Sequence, residues 1–580
     1  MNETVCDEVM AKPEKNIASL FQSPQKSFVA VAAIDFGTTY SGCAFSTVQD
    51  FKTDKLRIVT IPLDDKNVFS YKTPTVLLLN PEGQFHSFGA AAEDHYVTLA
   101  ESDEANSWYY FDRFKMQLYS AKDINRNMML KEMGGKKMEA MLVFALCIEY
   151  IKDKVLDRLR LAINGLQDDD VRWVLTVPAI WSDQARQFMI KAAAKAGISK
   201  ENLKLALEPE GAAMFCKYLA VDKVEHGDRS ALKAFEEKAQ FMVVDLGGGT
   251  IDITVSEVLP TGQLKEIYNA TGGPWGGNYI NGQIIKTLKE VIGWEIIRTF
   301  KLEEFYEYLE LLRNVEQRKR GAKHDSELSL AISKDLSKKI KIPNSHKQSV
   351  RLSGRSIHLS ALLMQKIFSS SVNTMTKHVE GLLQKKETRG VSSILLVGGY
   401  AASDFVQRAF REKFEQKYKI IFPLTPDMIV LKGAVILGHL GEAIVDRMTK
   451  YHYGLGLCAA AVSGRIISVE EDTTKTFFSL IKKGQTIKVG DVVTNYEVAI
   501  KAHSQWASIE VYTTDEDVPR TNIDEEHFTK VGNINVTLPQ FKHESILILT
   551  ITYCETEFKV IATDKTTGRC FVGICKFLGK

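Results

Sequence analysis

Two segments of this chain repeat one pattern, a short apolar run that ends in aspartate and then turns through glycine and threonine. Residues 33–42 read Ala-Ile-Asp-Phe-Gly-Thr-Thr-Tyr-Ser-Gly, and residues 243–252 read Val-Val-Asp-Leu-Gly-Gly-Gly-Thr-Ile-Asp. Each apolar run has the length and composition of a buried β-strand. The two aspartates, Asp35 and Asp245, are 210 residues apart (245 minus 35). We therefore expect a fold that brings two distant strand ends to one place.

The chemistry of these two loops is that of a polyphosphate site. Glycine lets the backbone approach a phosphate closely, so that its N–H groups point at the oxygens. The hydroxyls of Thr38, Thr39 and Thr250 add further donors. A carboxylate beside a polyphosphate would be repelled unless a cation lay between them, and Mg²⁺ suits this role because it keeps most of its waters. The pair of loops predicts a metal–polyphosphate clamp.

Each loop alone has a simpler explanation, since Asp-x-Gly-Thr is also typical of an ordinary β-turn and a run of glycines is typical of a tight hairpin. A third glycine pair, Gly398-Gly399, follows a third apolar run, Ile394 to Val397. That combination favours a shared site. The chain has neither the Gly-x-x-x-x-Gly-Lys-Ser/Thr motif nor a dinucleotide fingerprint, which excludes P-loop and Rossmann sites.

The composition is that of a globular protein, with 580 residues, 45% of them hydrophobic, 25% charged and a net charge of +2. The small net charge predicts no nucleic-acid partner. Because no apolar stretch reaches the roughly 20 residues of a spanning helix, we expect no membrane span.

Residues 1–27 do not resemble a signal peptide and are interpreted as a mobile tail. Eight scattered cysteines indicate reduced thiols and a cytoplasmic location, with a nuclear one also compatible.

The chain changes character once along its length. Residues 28–445 alternate strand and helix signals, which indicates an α/β domain. A long amphipathic helix is predicted around residues 141–159, and Ser182 or Asp183 and Ser360 are expected to cap two further helices. The charged residues 221–240 are interpreted as a solvated insertion. Residues 446–580 have short alternating runs and predict an antiparallel β-sandwich-like domain.

With these motifs the sequence resembles the superfamily of actin, sugar kinases and heat-shock ATPases. Within it, the sequence is similar to the seventy-kilodalton heat-shock (DnaK-type) chaperones, and in particular to their divergent 12A/12B branch. The resemblance implies a two-lobed actin-like ATPase domain over residues 28–445, built from duplicated ribonuclease-H-like units. A β-rich substrate-binding-like domain without a helical lid is expected over residues 446–580.

The resemblance also implies the residues of the site. Phosphate, metal and catalytic roles are expected for Asp35, Lys115, Glu208, Asp245 and Thr250, with the three carboxylates holding the metal through water. Nucleotide contacts are expected from Gly37, Thr38, Thr39, Tyr40, Gly247, Gly248, Gly249, Glu316, Lys319, Arg320, Gly398, Gly399, Tyr400 and Asp427. As bare patterns, a lone lysine in a helix is as typical of a solvated surface as of a site, and the charged face that carries Glu316 is more often merely solvated.

The sequence departs from the family pattern at three places. Where the family has an adenine-stacking arginine after Gly398-Gly399-Tyr400, this chain has Ala401, Ala402 and Ser403. Asn278 and Asn281 stand where the family usually has acidic residues, so different contacts between the lobes are expected. The acidic, leucine-rich interdomain linker of the family is replaced by residues 443–453.

The function implied by the resemblance is that of an ATP-binding, weakly hydrolysing, chaperone-like protein. Its cofactors would be ATP or ADP and Mg²⁺, and protein partners or client polypeptides would bind the β domain. A nucleotide-gated scaffold with little or no hydrolysis is the alternative. A small-molecule kinase and an actin-like filament are disfavoured by the additional β domain.

Overall fold

A computed structural model describes residues 27–64, 71–121, 124–225, 234–440, 444–457, 459–462, 465–468, 475–488, 490–500, 506–537, 545–553 and 557–576. The tail predicted for residues 1–27 lies outside the described residues, apart from its last residue. Within the described part of the chain, no helix combines the length and the apolarity that crossing a membrane requires.

The first lobe contains eleven described strands and six described helices. Its strands are β1 (Ala30–Phe36), β2 (Tyr40–Thr47), β3 (Val59–Ile61), β4 (Lys72–Pro74), β5 (Val76–Leu79), β6 (Phe85–Phe88), β7 (Tyr109–Asp112), β8 (Met129–Lys131), β9 (Lys137–Glu139), β10 (Val171–Val177) and β11 (Leu203–Leu207). Its helices are α1 (Val48–Thr53), α2 (Ala90–Glu101), α3 (Lys115–Ser120), α4 (Ala140–Ala162), α5 (Asp183–Lys195) and α6 (Glu208–Glu225).

The second lobe follows in the chain and repeats the plan. Its strands are β12 (Gln240–Leu246), β13 (Ile251–Val258), β14 (Leu264–Gly273), β15 (Leu328–Ala331), β16 (Val350–Ser353), β17 (Ser356–Leu359), β18 (Val391–Val397), β19 (Lys419–Ile421) and β20 (Ile444–Met448). Its helices are α7 (Gly277–Ile292), α8 (Trp294–Glu303), α9 (Phe305–Arg320), α10 (Lys334–Lys339), α11 (Ala361–Leu383), α12 (Asp404–Phe414) and α13 (Ile429–His439).

The two central sheets show the duplication directly. The first has the strand order β11-β10-β1-β2-β3, with β4 also paired to β2, and the second has the order β19-β18-β12-β13-β14-β20-β25. In both, the strand that ends in the loop aspartate pairs parallel with one neighbour and antiparallel with the strand that follows it. The predicted two-lobed fold is confirmed.

The lobes share a core formed by α6 and α13. Val31 of β1 and Val243 of β12 belong to one hydrophobic cluster with Ala212 of α6 and Leu431 of α13. The two helices cross at glycine, because a Cβ on Gly433 would lie 1.7 Å from the carbonyl oxygen of Gly211. This crossing fixes how the two sheets face each other.

Three local predictions can be compared with these elements. The long helix predicted around residues 141–159 is α4, and Ser182 and Ser360 cap α5 and α11 by accepting hydrogen bonds from backbone N–H groups three residues on. The interpretation of residues 221–240 as a solvated insertion is wrong for Ala234 and Phe235. Helix α6 continues to Glu225, and Ala234 and Phe235 are buried because they pack on the shared core.

The C-terminal part is a β domain. Its described strands are β21 (His452–Leu457), β22 (Ala459–Val462), β23 (Arg465–Ser468), β24 (Thr476–Ile481), β25 (Thr486–Ile487), β26 (Val492–Ile500), β27 (Trp506–Thr514), β28 (Thr529–Thr537), β29 (Ser545–Tyr553), β30 (Glu557–Asp564) and β31 (Cys570–Lys576). Ten of them form one sheet in the order β22-β23-β26-β29-β30-β31-β28-β27-β21-β24. Leu455 of β21 and Leu549 of β29 lie in one core, so the sheet folds over on itself. The expected antiparallel pattern holds except between β23 and β26, which are parallel.

The segment that stands in place of the family's interdomain linker, residues 443–453, contains the strand β20. β20 pairs parallel with β14 of the second lobe and antiparallel with β25 of the β domain. The domain boundary predicted at residue 445 falls inside this strand. Further contacts tie the β domain to the first lobe: Lys200 pairs with Glu557 at 2.8 Å, and the Tyr453 hydroxyl donates to the Asp183 carboxylate.

Candidate functional site

The cleft between the lobes holds a cavity of about 410 Å³, a size typical of small-ligand sites. Every site residue expected from the sequence lines it. These are Asp35, Gly37, Thr38, Thr39, Tyr40, Lys115, Glu208, Asp245, Gly247, Gly248, Gly249, Thr250, Glu316, Lys319, Arg320, Gly398, Gly399, Tyr400 and Asp427.

The two loops touch each other across the cavity. A Cβ on Gly248 would lie 2.1 Å from Thr39 Oγ1, and a Cβ on Gly249 would lie 2.7 Å from Thr38 Oγ1. The approach of the opposite loop therefore favours glycine at both positions, and at Gly249 the Met116 sulfur, 2.4 Å from such a Cβ, does so as well. The result is a narrow space flanked on both sides by glycine backbone and threonine hydroxyls, as a polyphosphate chain requires.

Asp35 is held in its charged form by the protein itself. Its Oδ1 accepts a hydrogen bond from Thr176 at 2.8 Å, and its Oδ2 forms an ion pair with Lys72. Burial acts to raise the pKa of Asp35, but the charge and hydrogen bond of Lys72, together with the Thr176 bond, outweigh it and hold the pKa below its ordinary value.

Asp245 is in the opposite situation. Burial raises its pKa well above the ordinary value, and the neighbouring carboxylates Glu208, Asp252 and Asp35 raise it further. Lys72 offsets this only in part. A buried carboxylate surrounded by like charges is stabilised when a cation arrives.

Lys115 begins α3 and is 2% exposed, so it is not a lysine on a solvated helix surface. Its Nζ donates to Glu208 Oε1 at 3.0 Å and lies 5.0 Å from the centre of the Trp181 ring. Burial raises the pKa of Glu208 to about 7, with Asp252 and Asp35 adding to the rise and Lys115 opposing it. An ammonium group fixed beside both loops can stabilise negative charge on a reacting phosphoryl group.

The helix α9 supplies one wall of the cavity. Glu316 accepts from Lys319 at 2.8 Å and from Arg320 at 3.0 Å. Burial acts to raise the pKa of Glu316, but these two cations outweigh it and lower the pKa to about 2. The Arg320 guanidinium lies 4.0 Å from the centre of the Tyr40 ring, so it packs against the opposite lobe. The charged face of α9 is therefore part of the cleft.

The third glycine turn closes the same cavity. Gly398 has a φ of +84°, and a Cβ there would lie 2.4 Å from Asp245 Oδ1. Its N–H donates to the carbonyl oxygen of Pro426 at 2.9 Å, which places the segment that carries Asp427 beside the turn. Three strand ends thus meet at one cavity.

Comparison with known proteins agrees with this geometry. The family described as Hsp70 protein matches residues 103–519. Heat shock 70 kDa protein 12A of Mus musculus is 31% identical, covering 94% of this chain and 91% of the relative. Heat shock 70 kDa protein 12B of Homo sapiens is 29% identical, covering 99% and 95%. The chain belongs to the Hsp70 family. Chaperone protein DnaK of Thermotoga petrophila is 28% identical over a shorter stretch, 45% of this chain and 40% of the relative.

The predicted departures from the Hsp70 pattern have structural consequences. Ala402 and Ser403 line the cavity where the resemblance led us to expect an arginine, and Phe368 and Leu424 line it as well. Asn278 contacts the opposite lobe directly, because its Nδ2 donates to Thr39 Oγ1 at 3.0 Å. An uncharged side chain therefore joins the lobes at this position in this Hsp70 chain.

Several residues of the site were not singled out from the sequence. Lys72 was missed because it lies outside every motif and reaches Asp35 only through the pairing of β4 with β2. Asp252 belongs to the second loop motif, yet its role was not predicted. It accepts hydrogen bonds from Thr250 and from the backbone of Ile180, which links the loop to the opposite lobe.

The residues present fit a hydrated magnesium ion. Among the described residues, no group of three His, Cys, Asp or Glu side chains is arranged to coordinate a metal directly. Mg²⁺ does not require such a cage, because it is usually bound through one or two carboxylates, waters and substrate phosphates. Asp245, Asp35 and Glu208 would hold it from the walls of the cavity.

Proposed function

We propose that this Hsp70-family chain binds ATP and ADP with Mg²⁺ in the cleft, hydrolyses ATP slowly and acts as a chaperone-like protein. The observation that carries the proposal is the meeting of two glycine loops, each with a buried carboxylate, at one cavity. The loop backbone and the hydroxyls of Thr38 and Thr250 would bind the phosphates. Bound Mg²⁺ would offset phosphate charge beside the carboxylates.

Lys115 would stabilise the charge that develops on the transferred phosphoryl group. Its position supports this role, since it is buried, begins a helix at the cavity wall and is oriented by Glu208 at 3.0 Å. The Trp181 ring beside it shields the ammonium from water. The remaining walls, formed by α9 and the Gly398 turn, would hold the adenosine.

The nucleotide state can be passed to the β domain through residues 180–183. The Ile180 N–H donates to Asp252 of the second loop at 2.8 Å, and its carbonyl accepts from Lys450 at 3.0 Å. Asp183, at the start of α5, accepts from the Tyr453 hydroxyl of β21. We propose that protein partners or client polypeptides bind the β domain and sense the nucleotide by this route.

Calorimetric titration of the full chain with ATP and ADP tests the binding step. We expect binding in the presence of Mg²⁺, and its absence for both nucleotides would overturn the proposal. Single-turnover hydrolysis then tests the chemistry. Lys115→Ala should slow turnover by about a hundredfold, as removal of one electrostatic group does in other enzymes.

The control for this variant is Lys301→Ala, which removes a lysine that lies over Tyr308 outside the cavity. It should hydrolyse ATP like the unmodified chain. Binding without turnover above the uncatalysed rate would instead identify the chain as a nucleotide-gated scaffold. Equal turnover in the unmodified chain and in Lys115→Ala would exclude the role given to Lys115.

A further inference from the structure

Lys72 is built into the wall of the cavity. It lies on β4 opposite Gly42 of β2, in the register that also pairs Ser41 with Thr73. A Cβ on Gly42 would lie 2.9 Å from Lys72 Cγ, so the glycine leaves the space that the lysine stem occupies. The side chain is 14% exposed and lines the cavity. Lys72 is therefore a fixed part of the first lobe.

The Lys72 ammonium neutralises one of the two loop carboxylates. It pairs with Asp35 Oδ2, while Asp35 Oδ1 is bound by Thr176. Each oxygen of this carboxylate thus has one partner within the protein, and each can still accept a further hydrogen bond from a metal-bound water. Asp245 and Asp427 also act on Lys72 electrostatically, which places its charge among the acids on both sides of the cleft.

The cations of the described residues that line the cavity are all paired with carboxylates, and Lys72 differs from the others because its partner, Asp35, belongs to one of the two glycine loops. Lys115 pairs with Glu208 at 3.0 Å, and Lys319 and Arg320 both pair with Glu316. Lys72 is the cation placed beside the first loop, where a polyphosphate would otherwise face Asp35. A positive charge at this place can offset the charge of Asp35 and so reduce its repulsion of the phosphates.

We propose that Lys72 is a resident counter-cation of the nucleotide site, which lets this chain hold ADP and ATP with a greatly reduced requirement for Mg²⁺. The ammonium shields the phosphates from Asp35, so that bound magnesium has to offset chiefly Asp245. The inference rests on the proposed nucleotide binding and adds a property that a site with two uncompensated loop carboxylates would lack.

The test is titration calorimetry of the nucleotide-free full chain with ADP, in excess Mg²⁺ and in excess chelator. The unmodified chain should lose less than about tenfold in affinity on chelation. Lys72→Met should lose about a hundredfold or more, as expected when one partner of a partly buried charge pair is removed. Lys72→Arg should behave like the unmodified chain. The matched control is Lys338→Met, which removes a lysine from the exposed Lys338–Asp335 pair.

A second readout uses magnesium without nucleotide. In Lys72→Met the Asp35 carboxylate has lost its cation, so Mg²⁺ alone should raise the melting temperature of this variant more than that of the unmodified chain. This comparison also shows whether Lys72→Met folds.

The outcomes separate the two proposals. No ADP or ATP binding even with Mg²⁺ would overturn the proposed function. Binding with Mg²⁺ that collapses on chelation in the unmodified chain would overturn the role of Lys72 alone. Persistent chelator-resistant binding in Lys72→Met would also overturn it.

Discussion

The first and second loops of this chain have the same sequence pattern and opposite electrostatics. Asp35, in the first loop, is neutralised by Lys72 and has a lowered pKa. Asp245, in the second, is surrounded by carboxylates and has a raised pKa. Duplication therefore preserved the geometry of the strand, the aspartate and the turn, while the charge balance of the two halves diverged. We therefore expect the second loop to depend on an external cation more than the first.

The largest expected effect on stability concerns Asp35. Asp35→Asn removes the carboxylate that pairs with Lys72 and leaves a largely buried ammonium beside an amide. We expect the nucleotide-free protein to lose about 3 kcal/mol of unfolding free energy, at the low end for breaking a buried pair. Denaturant unfolding measures this. The double variant Asp35→Asn, Lys72→Met should recover part of the loss, and no recovery would mean that the ion pair is not its cause.

Asp245→Asn should change the free energy of unfolding in the opposite direction. It replaces a carboxylate that burial and three like charges disfavour with an uncharged group of the same shape. The nucleotide-free protein should gain about 1 kcal/mol, since an isosteric replacement of a buried charge is often neutral or stabilising. The stabilisation by ATP with Mg²⁺ should be lost at the same time. Destabilisation of the nucleotide-free protein would show that the two loops are electrostatically equivalent after all.

A smaller effect distinguishes the glycines of the two loops. Gly248→Ala would place a Cβ 2.1 Å from Thr39 Oγ1, a side-chain atom, whereas Gly37→Ala would place one 2.2 Å from the carbonyl oxygen of Tyr40. Both should weaken ADP binding by about tenfold or more, since each shifts a loop backbone. Only Gly248→Ala should be rescued in part by a second change, Thr39→Gly, and calorimetry checks this. If Thr39→Gly restored ADP binding equally in both variants, the contact between Gly248 and Thr39 would be contradicted.

The sequence was sufficient for the parts of the site that depend on local chemistry. An apolar strand followed by aspartate and glycine is a local signal, so both loops and the Gly398 turn could be located without coordinates. The strand periodicities likewise identified the α/β and β-rich parts, and family resemblance supplied the two-lobed arrangement. These features recur because glycine and phosphate impose the same local geometry wherever they meet.

The remaining features depend on how strands align. Lys72 reaches Asp35 through the register of β4 on β2, which no motif in residues 71–76 reveals. The burial of Lys115 follows from packing of α3 against Trp181, whereas the sequence alone allowed a solvated lysine. The parallel pair β23–β26 depends on the connection between distant strands. Register and burial are tertiary properties, and local propensity does not determine them.

The smallest expected effect concerns the contact that joins the loops through an uncharged residue. Asn278 donates to Thr39 Oγ1 at 3.0 Å, and its own N–H donates to the Gly248 carbonyl oxygen at 2.7 Å. Asn278→Ala keeps the backbone bond but removes the first of these bonds, together with the one that Asn278 Oδ1 accepts from Asn281 at 3.3 Å, and it should weaken ADP binding by about fivefold. Asn278→Asp should weaken it more, because the new carboxylate adds negative charge beside the two glycine loops, even though the Thr39 hydroxyl can donate to it. If Asn278→Asp bound ADP more tightly with Mg²⁺, the second loop would tolerate further acidic charge. The two loops would then not differ because the second loop lacks a neutralising cation.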